Sequence, residues 1–358
     1  MPLQPNLIER QLIKRGTVSG LLLDVGVAGF QQGALIAAME LGLFDHLQDG
    51  SFTVEELADR TDASREGMEI LLGTLVPLGY VSEHDGSYRL TDAARRSLPD
   101  RDLQLMSLFF KEQIRTTLDA AEAVREAPED GIYGWERVKT GDTGRAYQAA
   151  MRWLASDLVD HVVDAVALPA GARRLLDVGG SHGLYTVRFY ERYPGLEGTV
   201  LDWEIGLDSA RRTLDESPHV ADRIDLIERD FERDDLPGGY DVAFLGNIVH
   251  GLSPAGNREL FGKLAGATTD RGTVAILDQV ADPPTSGPLS FDPFQSSFVD
   301  GVAALLGFNL FLFSGGRSYR YDDLERWLSD VGFSDVSYTR IRQSPGFSLV
   351  VARNPDAR

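Results

Sequence analysis

Three acidic residues and a histidine each follow an apolar run in the middle of the chain, a pattern that can support ligand binding and proton transfer. Asp177 ends the first run, just before a glycine cluster at 179–183, and Asp202 and Asp230 follow the next two runs. His250 follows the fourth run. Carboxylates accept hydrogen bonds and pair with cations, and a histidine can take up a proton near neutral pH. If the runs are parallel strands of one sheet, these side chains meet at its carboxyl edge.

The glycine cluster has the composition of a ligand-binding turn between a strand and a helix. Residues 177–183 read D-V-G-G-S-H-G, whereas a dinucleotide-binding turn reads G-x-G-x-x-G. Glycines such as Gly179 and Gly183 permit positive φ and let a ligand approach the backbone closely. The carboxylate of Asp177 would repel a pyrophosphate, but it suits a ligand that carries an ammonium and a sulfonium. The loop therefore favours S-adenosylmethionine (SAM) over NAD, and a purely structural turn is the alternative.

The residues after the second and third runs extend the same prediction. Asp202 follows the loop by about 20 residues, where an acid can accept hydrogen bonds from both ribose hydroxyls; an N-cap role is the alternative. Trp203 can pack beside the adenine. Asp230 can accept a hydrogen bond from the exocyclic amine of adenine while the ring of Phe231 covers the base. Acids after three successive strands are more specific than any one of them alone.

The fourth and fifth runs end in residues suited to proton transfer. A histidine at the carboxyl end of a strand beside a cofactor crevice is well placed as a general base, so we expect this role for His250, with a structural histidine as the alternative. Asp278 follows the fifth run and could orient or charge-stabilise the imidazole. Asn247, which also follows the fourth run, is a candidate cofactor contact.

Composition sets broad limits on the class of protein. The 358 residues are enough for two domains, and 43% hydrophobic with 25% charged residues is ordinary for a soluble globular protein. A net charge of −20 disfavours nucleic-acid and membrane binding; it fits either a high-salt cytoplasm or an ordinary acidic protein from a GC-rich genome. There is no cysteine and no paired histidine motif, so no metal site is expected. No signal-peptide pattern is visible, and a cytoplasmic protein is expected.

From Arg174 onward, strands and helices alternate, which predicts an α/β fold with a parallel, Rossmann-like sheet. Its expected strands are 175–178, 199–201, 224–228, 242–245 and 274–277, with helices near 184–193, 206–215 and 254–267, and then a helix at 321–332 and strands at 336–341 and 347–352.

The N-terminal third predicts a mostly α-helical winged helix. A helical pattern begins at Phe30, and Gly42 and Gly50 mark its end. A capping box at Thr53 and Glu56 then starts a helix over 53–60, and a further helix over 65–78 is followed by a hairpin over 80–90 with Asp-Gly at its turn. Such a module often binds DNA, which leaves a ligand-sensing DNA-binding regulator as a rival function. The candidate recognition helix carries one arginine against two glutamates in its first turns, which favours a structural or dimerisation role.

These residues together resemble the class I SAM-dependent O-methyltransferases of the hydroxyindole and plant-phenolic type, over nearly the whole chain. The family's D-V-G-G-G-x-G loop corresponds to 177–183, its G-D-x-F motif to 229–231 and the catalytic histidine of its H-D-W motif to His250. The resemblance implies that Tyr147 and Met151 clamp a small-molecule acceptor. It also implies a homodimer whose N-terminal arm completes the partner's pocket.

The resemblance also implies three parts of the chain: a winged-helix dimerisation domain at 1–100, a helical connector lining the substrate pocket at 101–170 and a Rossmann-like SAM domain at 171–358. Helices are expected at 112–126 and 144–166 in the connector. The Pro- and Ser-rich stretch 282–297 is expected to be an active-site loop.

Several positions depart from the family pattern. Gly251 and Leu252 replace the Asp and Trp after the catalytic histidine, Ser318 stands where a second acid is expected, and Gly246 replaces a lysine that often contacts the cofactor. The acid–base groups are therefore fewer than usual, which leaves room for C-methylation or for a SAM-binding protein with other chemistry.

The acceptor side is the least specified part of the predicted site. The phenylalanine-rich segment 308–313 suggests a large apolar acceptor with Asn309 as a polar anchor, and a buried core helix explains it equally well. The expected reaction is SN2 transfer of a methyl group from SAM to a hydroxyl, with His250 removing the proton.

Overall fold

The computed structural model describes residues 27–98, 102–128, 131–281, 297–341 and 346–354, with positions 11, 15 and 24. The chain divides into two compact units, Met1–Glu112 and Gln113–Arg358. The predicted N-terminal arm and most of the predicted active-site loop at 282–297 lie outside the described residues. No helix among the described residues is long and apolar enough to cross a membrane.

The first unit is mostly helical and carries a small antiparallel sheet. Its strands are β1 (Phe52–Thr53), β2 (Val81–His84) and β3 (Ser87–Leu90), in the order β1-β3-β2. Its helices are α1 (Ala28–Glu40), α2 (Leu43–Gln48), α3 (Val54–Arg60), α4 (Arg65–Leu75), α5 (Asp92–Ser97) and the first part of α6 (Leu103–Leu118).

Local sequence signals explain the winged-helix part of this unit. Thr53 and Glu56 form the predicted capping box at the start of α3, with the Thr53 N–H donating to Glu56 Oε2 at 2.8 Å. The predicted hairpin turn is present, with φ of 50° at Asp85 and 75° at Gly86, which suits the right-handed twist of two paired strands. The helix predicted from Phe30 ends at Glu40, and Gly42, which was predicted to mark its end, takes a φ of 65° and separates α1 from α2.

The second unit begins with helices and then alternates strands and helices. The helices are α7 (Ala120–Glu126), α8 (Gly141–Ser156), α9 (Val159–Ala165), α10 (Leu184–Arg192), α11 (Glu204–Glu216), α12 (Pro254–Ala267), α13 (Ser297–Ser314) and α14 (Tyr321–Asp330). The strands are β4 (Arg174–Val178), β5 (Glu197–Asp202), β6 (Ile224–Glu228), β7 (Tyr240–Gly246), β8 (Thr268–Asp278), β9 (Ser334–Arg340) and β10 (Ser348–Arg353).

Two of the predicted connector helices are interrupted. The helix predicted over 112–126 is divided between α6 and α7 at Asp119, whose N–H bonds to the carbonyl of Thr116 three residues earlier. The helix predicted over 144–166 starts at Gly141 and breaks after Ser156. The side chain of Ser156 bonds to the carbonyl of Trp153, a local contact that competes with helix continuation.

A seven-stranded sheet in the order β6-β5-β4-β7-β8-β10-β9 forms the centre of the second unit. Strands β4 to β8 are parallel, as the alternation predicts, and β10 is antiparallel to both β8 and β9. Val178 at the end of β4 lies opposite Leu201 of β5 and Leu245 of β7. The parallel strands therefore end at the same level, which brings the residues after them to one edge.

The inner strands β4, β5, β7, β8 and β10 are buried on both faces, which explains why they are apolar runs rather than alternating patterns. The edge strand β9 has no buried residue. Successive residues of one strand face opposite ways, so that Leu175 packs with Phe189 and Phe244 while Leu176 packs with Leu245 and Phe261. The buried layers hold the carboxyl edge in a fixed position.

Candidate active site

A cavity lies at the carboxyl edge of β4, β5 and β7, with roughly 850 Å³ of empty space when its opening to solvent is counted. Eight of the residues that the sequence predicted line it: Tyr147, Met151, Asp177, Gly179, Asp202, Trp203, Phe231 and Asn247. The parallel strands thus bring most of the predicted cofactor residues to one place, and helix α8 brings both clamp residues there.

Two glycines of the glycine loop adopt a positive φ, a backbone conformation that favours glycine. Gly179 has a φ of 66° and Gly183 a φ of 67°, and Gly183 lies directly before α10 rather than in the cavity wall. A Cβ at Gly179 would collide with the side chain of Ile248, and one at Gly180 would lie 2.6 Å from the carboxyl carbon of Asp177. The loop therefore brings backbone to the cavity surface, where a ligand can approach it closely.

The amide groups of this loop are largely used within the protein. The N–H of Gly179 donates to the carbonyl of Leu201 at 2.8 Å, and the N–H of Ser181 donates to Asp202 Oδ2 at 2.7 Å. The N–H of Leu184 donates to His182 Nδ1 at 3.1 Å. A phosphate-binding loop instead points its amides at the ligand. This arrangement fits the sequence-based preference against a dinucleotide.

Two buried carboxyl groups dominate the electrostatics of the cavity. Asp177 accepts a hydrogen bond from Thr186 Oγ1 at 2.7 Å, and burial raises the pKa of its carboxyl to about 7. Asp202 also accepts from the N–H of Trp203 at 2.6 Å, and burial raises its pKa to about 6. A cationic ligand would lower both pKa values, because it favours the charged form of each acid.

Aromatic rings form one wall of the cavity beside Asp202. The ring of Trp203 has Lys139 Nζ at 4.5 Å from its centroid and Trp135 edge-on at 6.5 Å. Phe231 also lines the cavity, whereas Asp230 does not. Asp230 Oδ1 accepts a hydrogen bond from the N–H of Glu232 at 3.1 Å, a local turn of the kind that aspartate favours.

A second group of rings surrounds the predicted clamp residues on α8. Tyr147 lies edge-on to Trp135 at 6.2 Å and nearly parallel to Phe313 at 6.0 Å. Burial raises the pKa of Tyr147 well above its usual value, so its hydroxyl stays protonated. Asn309 is half-buried on α13 and is not part of the cavity lining.

The segment that carries Trp135 is tied to the end of α13. The N–H groups of Ile132 and Gly134 donate to the carbonyls of Leu312 and Phe313, each at 2.8 Å. A Cβ at Gly131 would lie 2.6 Å from the amide nitrogen of Gly315, so the two chain segments are in close contact.

His250 and Asp278 form a buried pair at the ends of neighbouring strands. His250 Nδ1 lies 2.7 Å from Asp278 Oδ1, and the His250 N–H donates to Asp278 Oδ2 at 3.2 Å. His250 is 7% exposed and Asp278 1% exposed. The two contacts fix the ring and leave Nε2 as the nitrogen that can accept a proton.

The surroundings of this pair explain one departure from the family pattern. Neither His250 nor Asp278 is among the described residues that line the cavity, although Gly251 and Leu252 are. A Cβ at Gly251 would lie only 2.9 Å from the indole carbon Cζ2 of Trp135. An aspartate at this position would therefore require the ring of Trp135 to shift. On the other side, the carbonyl of His250 accepts a hydrogen bond from the Arg317 N–H at 2.9 Å.

Sequence reasoning missed several of the lining residues, among them Trp135, Gln148, His182, Tyr185 and Glu232. His182 and Tyr185 belong to the glycine motif and its helix, and neither was predicted to bind a ligand. Gln148 adjoins Tyr147, and its Oε1 accepts a hydrogen bond from the Ser181 hydroxyl. For Trp135, the sequence signal that could have indicated a binding role was an aromatic residue directly after the glycines at 131 and 134.

Comparison with known proteins matches both units of the chain. Residues 120–334 match a family model described as an O-methyltransferase domain, and residues 31–100 match one described as an O-methyltransferase dimerisation domain. The 3-hydroxy-5-methyl-1-naphthoate 3-O-methyltransferase of Streptomyces sahachiroi is 30% identical over 339 residues, covering 93% of this chain and 94% of that protein.

Two further similarities add to this result. The L-tyrosine C(3)-methyltransferase of Streptomyces lavendulae is 24% identical over 344 residues, which cover 90% of this chain and 88% of that protein. The crystal structure of human N-acetylserotonin methyltransferase in complex with SAM has a TM-score of 0.75 at 21% identity, covering 99% of this chain and 100% of that chain. The fold is therefore shared at low sequence identity.

The buried carboxyl of Asp177 predicts a pH-dependent stability. Its folded-state pKa of about 7 lies above the ordinary 3.8, so its contribution to the free energy of unfolding falls as pH rises from about 4 through 7. We expect the Asp177→Asn variant, without ligand, to melt on the order of 5 °C above the wild type at pH 8. At pH 5 the difference should be much smaller.

Thermal denaturation by calorimetry measures this difference. The exposed Asp225 on β6 gives a matched control, since the Asp225→Asn change should alter the melting temperature equally at both pH values. A melting difference for Asp177→Asn that is the same at pH 5 and pH 8 would contradict the burial effect.

Proposed function

Because the chain belongs to the O-methyltransferase family, we propose that it transfers a methyl group from SAM to a hydroxyl of a small apolar or aromatic metabolite. The observation that carries this proposal is the cavity at the carboxyl edge, where the buried acids Asp177 and Asp202 lie beside an aromatic wall. Acids of this kind suit the cationic end and the ribose of SAM, and the rings suit an adenine and an apolar acceptor.

The lining residues fit SAM in three respects. Asp177 and Asp202 are buried carboxyl groups, Gly179 leaves no room for a side chain against the loop, and Asn247 Oδ1 is buried without a hydrogen-bond partner among the described residues. A buried acceptor without a partner is costly, and a ligand that donates to it removes the cost. We therefore assign Asn247 to the cofactor.

The remaining cofactor residues are assigned by position. Asp202 would hold the ribose hydroxyls, and Trp203 and Phe231 would cover the adenine. Gly183 shapes the turn. Asp230 would accept from the exocyclic amine, which requires its carboxylate to turn away from the N–H of Glu232.

When bound, SAM supplies a methyl group made electrophilic by its sulfonium. Tyr147 and Met151 on α8 would hold the acceptor against the aromatic wall, and Asn309 on α13 is the proposed polar anchor further out. His250 would take the acceptor proton at Nε2 while Asp278 holds the ring and stabilises the imidazolium. Positioning by the packed side chains would supply much of the acceleration.

C-methylation is a second candidate, because His250 and Asp278 are not among the described lining residues and a C-methyltransferase is among the relatives. A carbon acceptor beside a phenol also loses a proton, but from the ring rather than from the oxygen that is methylated. Identification of the methylated atom in the product by NMR distinguishes the two reactions.

The first unit contains the O-methyltransferase dimerisation domain, and we propose that the protein is a homodimer. Phe30 and Ile70 are 79% and 65% exposed, and such side chains favour a covered surface. We expect twice the chain mass in sedimentation equilibrium and a monomer for Ile70→Asp. The exposed Glu66 supplies a control, since Glu66→Ala should remain dimeric. A monomeric wild type would refute the dimer.

Calorimetry with SAM and with its demethylated product tests the cofactor assignment. We expect the wild type to bind both, and Asp202→Asn to weaken binding by about tenfold to a hundredfold because charged hydrogen bonds to the ribose are lost. Asp225→Asn, on an exposed position of the same sheet, should bind like the wild type. No measurable heat with either compound would overturn the whole proposal.

The general-base assignment predicts a selective loss of turnover. We expect His250→Ala to lower kcat by about 10²–10⁴-fold with a phenolic acceptor found by screening with radiolabelled SAM, and to change SAM affinity by less than about twofold. Asp278→Asn should lower kcat less. His161→Ala, at an exposed position of α9, serves as the control. Full activity of His250→Ala would remove this role.

A further inference from the structure

The wall of the cavity carries acids, but none of its described lining residues is a lysine or an arginine. The acids are Asp177, Asp202 and Glu232. The amino-acid end of SAM carries a carboxylate as well as an ammonium. The acids account for the cation, whereas the carboxylate needs hydrogen-bond donors that are not obvious from the sequence.

The glycine loop supplies few of these donors. The N–H groups of Gly179 and Gly180 both point to the carbonyl of Leu201, and that of Ser181 points to Asp202. The N–H of Leu184 is taken by His182. Side chains must therefore contribute to binding of a carboxylate.

Tyr185 lines the cavity, and its hydroxyl is a hydrogen-bond donor without a partner among the described residues. Its side chain is buried. A buried hydroxyl in this state is unfavourable until a ligand accepts its proton. Burial raises the pKa of this phenol, so it remains a donor.

The ring of Tyr185 lies next to the end of β7. A Cβ at Gly246 would lie 3.2 Å from Phe244 Cε1 and 3.6 Å from Tyr185 Cε2. The ring of Tyr185 therefore borders the space beside Gly246, which also lines the cavity.

His182 supplies a second neutral donor on the same wall. Its ring centre is 6.1 Å from that of Tyr185. Because its Nδ1 accepts from the Leu184 N–H, the proton of the neutral ring is on Nε2. Burial lowers the pKa of His182 to about 3, with Arg152 adding to the effect, so the ring donates without carrying a charge.

We propose that the Tyr185 hydroxyl and His182 Nε2 bind the carboxylate at the amino-acid end of SAM. This assignment rests on the proposed function, since it requires SAM in the cavity. Arg152 lies close enough to His182 to lower the pKa of its ring, and the same positive charge attracts a carboxylate bound at this wall.

Binding of SAM and of decarboxylated SAM by the full chain tests the assignment. The two compounds differ only in the carboxylate. We expect the wild type to bind SAM more tightly than decarboxylated SAM, and Tyr185→Phe to weaken SAM binding about tenfold while leaving the decarboxylated compound unchanged. His182→Gln, measured in the same way, should also act on SAM alone. Tyr190→Phe, on the same helix and outside the cavity lining, should leave both affinities unchanged.

The outcomes separate this inference from the proposed function. If the wild type binds neither compound, the proposed function fails. If the wild type binds SAM and Tyr185→Phe binds it equally well, with an unchanged melting temperature, the carboxylate is held elsewhere and the inference is wrong. An equal loss of affinity for both compounds would also overturn it, since that result indicates a general distortion or a bridging water rather than carboxylate recognition.

Discussion

The carboxylate of Asp202 joins two strand ends, and the arrangement of the cavity depends on it. One oxygen accepts the N–H of Ser181 in the glycine loop and the other accepts the N–H of Trp203, while the loop itself bonds to the carbonyl of Leu201. The loop after β4 is therefore fixed by the end of β5. Because these groups bond to one another, the loop presents backbone atoms and carboxylates, rather than free amides, to a ligand.

Much of this edge could be predicted from the sequence because parallel strands place their following residues together. The apolar runs and the helices between them indicate the order of strands and helices along the chain. The acids that follow the strands could therefore be assigned to this edge from the sequence alone. The contact between His250 and Asp278 follows in the same way, since β7 and β8 are neighbours. The antiparallel direction of β10 was not predicted, because strand direction depends on the connection and not on the strand's own residues.

Other features depend on contacts between segments distant in sequence. Trp135 reaches the cavity because its segment bonds to the end of α13, and Glu232 replaces Asp230 at the wall because of a local turn. Neither contact leaves a periodic signal. The helix break after Ser156 likewise depends on a single residue that is compatible with a continuous helix pattern. The sequence pattern therefore predicts the site residues at the strand ends better than it predicts those in the loops on the other side of the cavity.

The link between the Trp135 segment and the end of α13 has a consequence for how acceptor preference can change in this fold. Residues shortly after α13 also bond to the carbonyl of His250, so the ring wall and the histidine share one backbone support. A substitution that moves Trp135 to admit a larger acceptor would also shift the imidazole. We therefore expect exchange of the 131–135 segment between homologous proteins to preserve turnover only when the segment at 312–317 is exchanged with it.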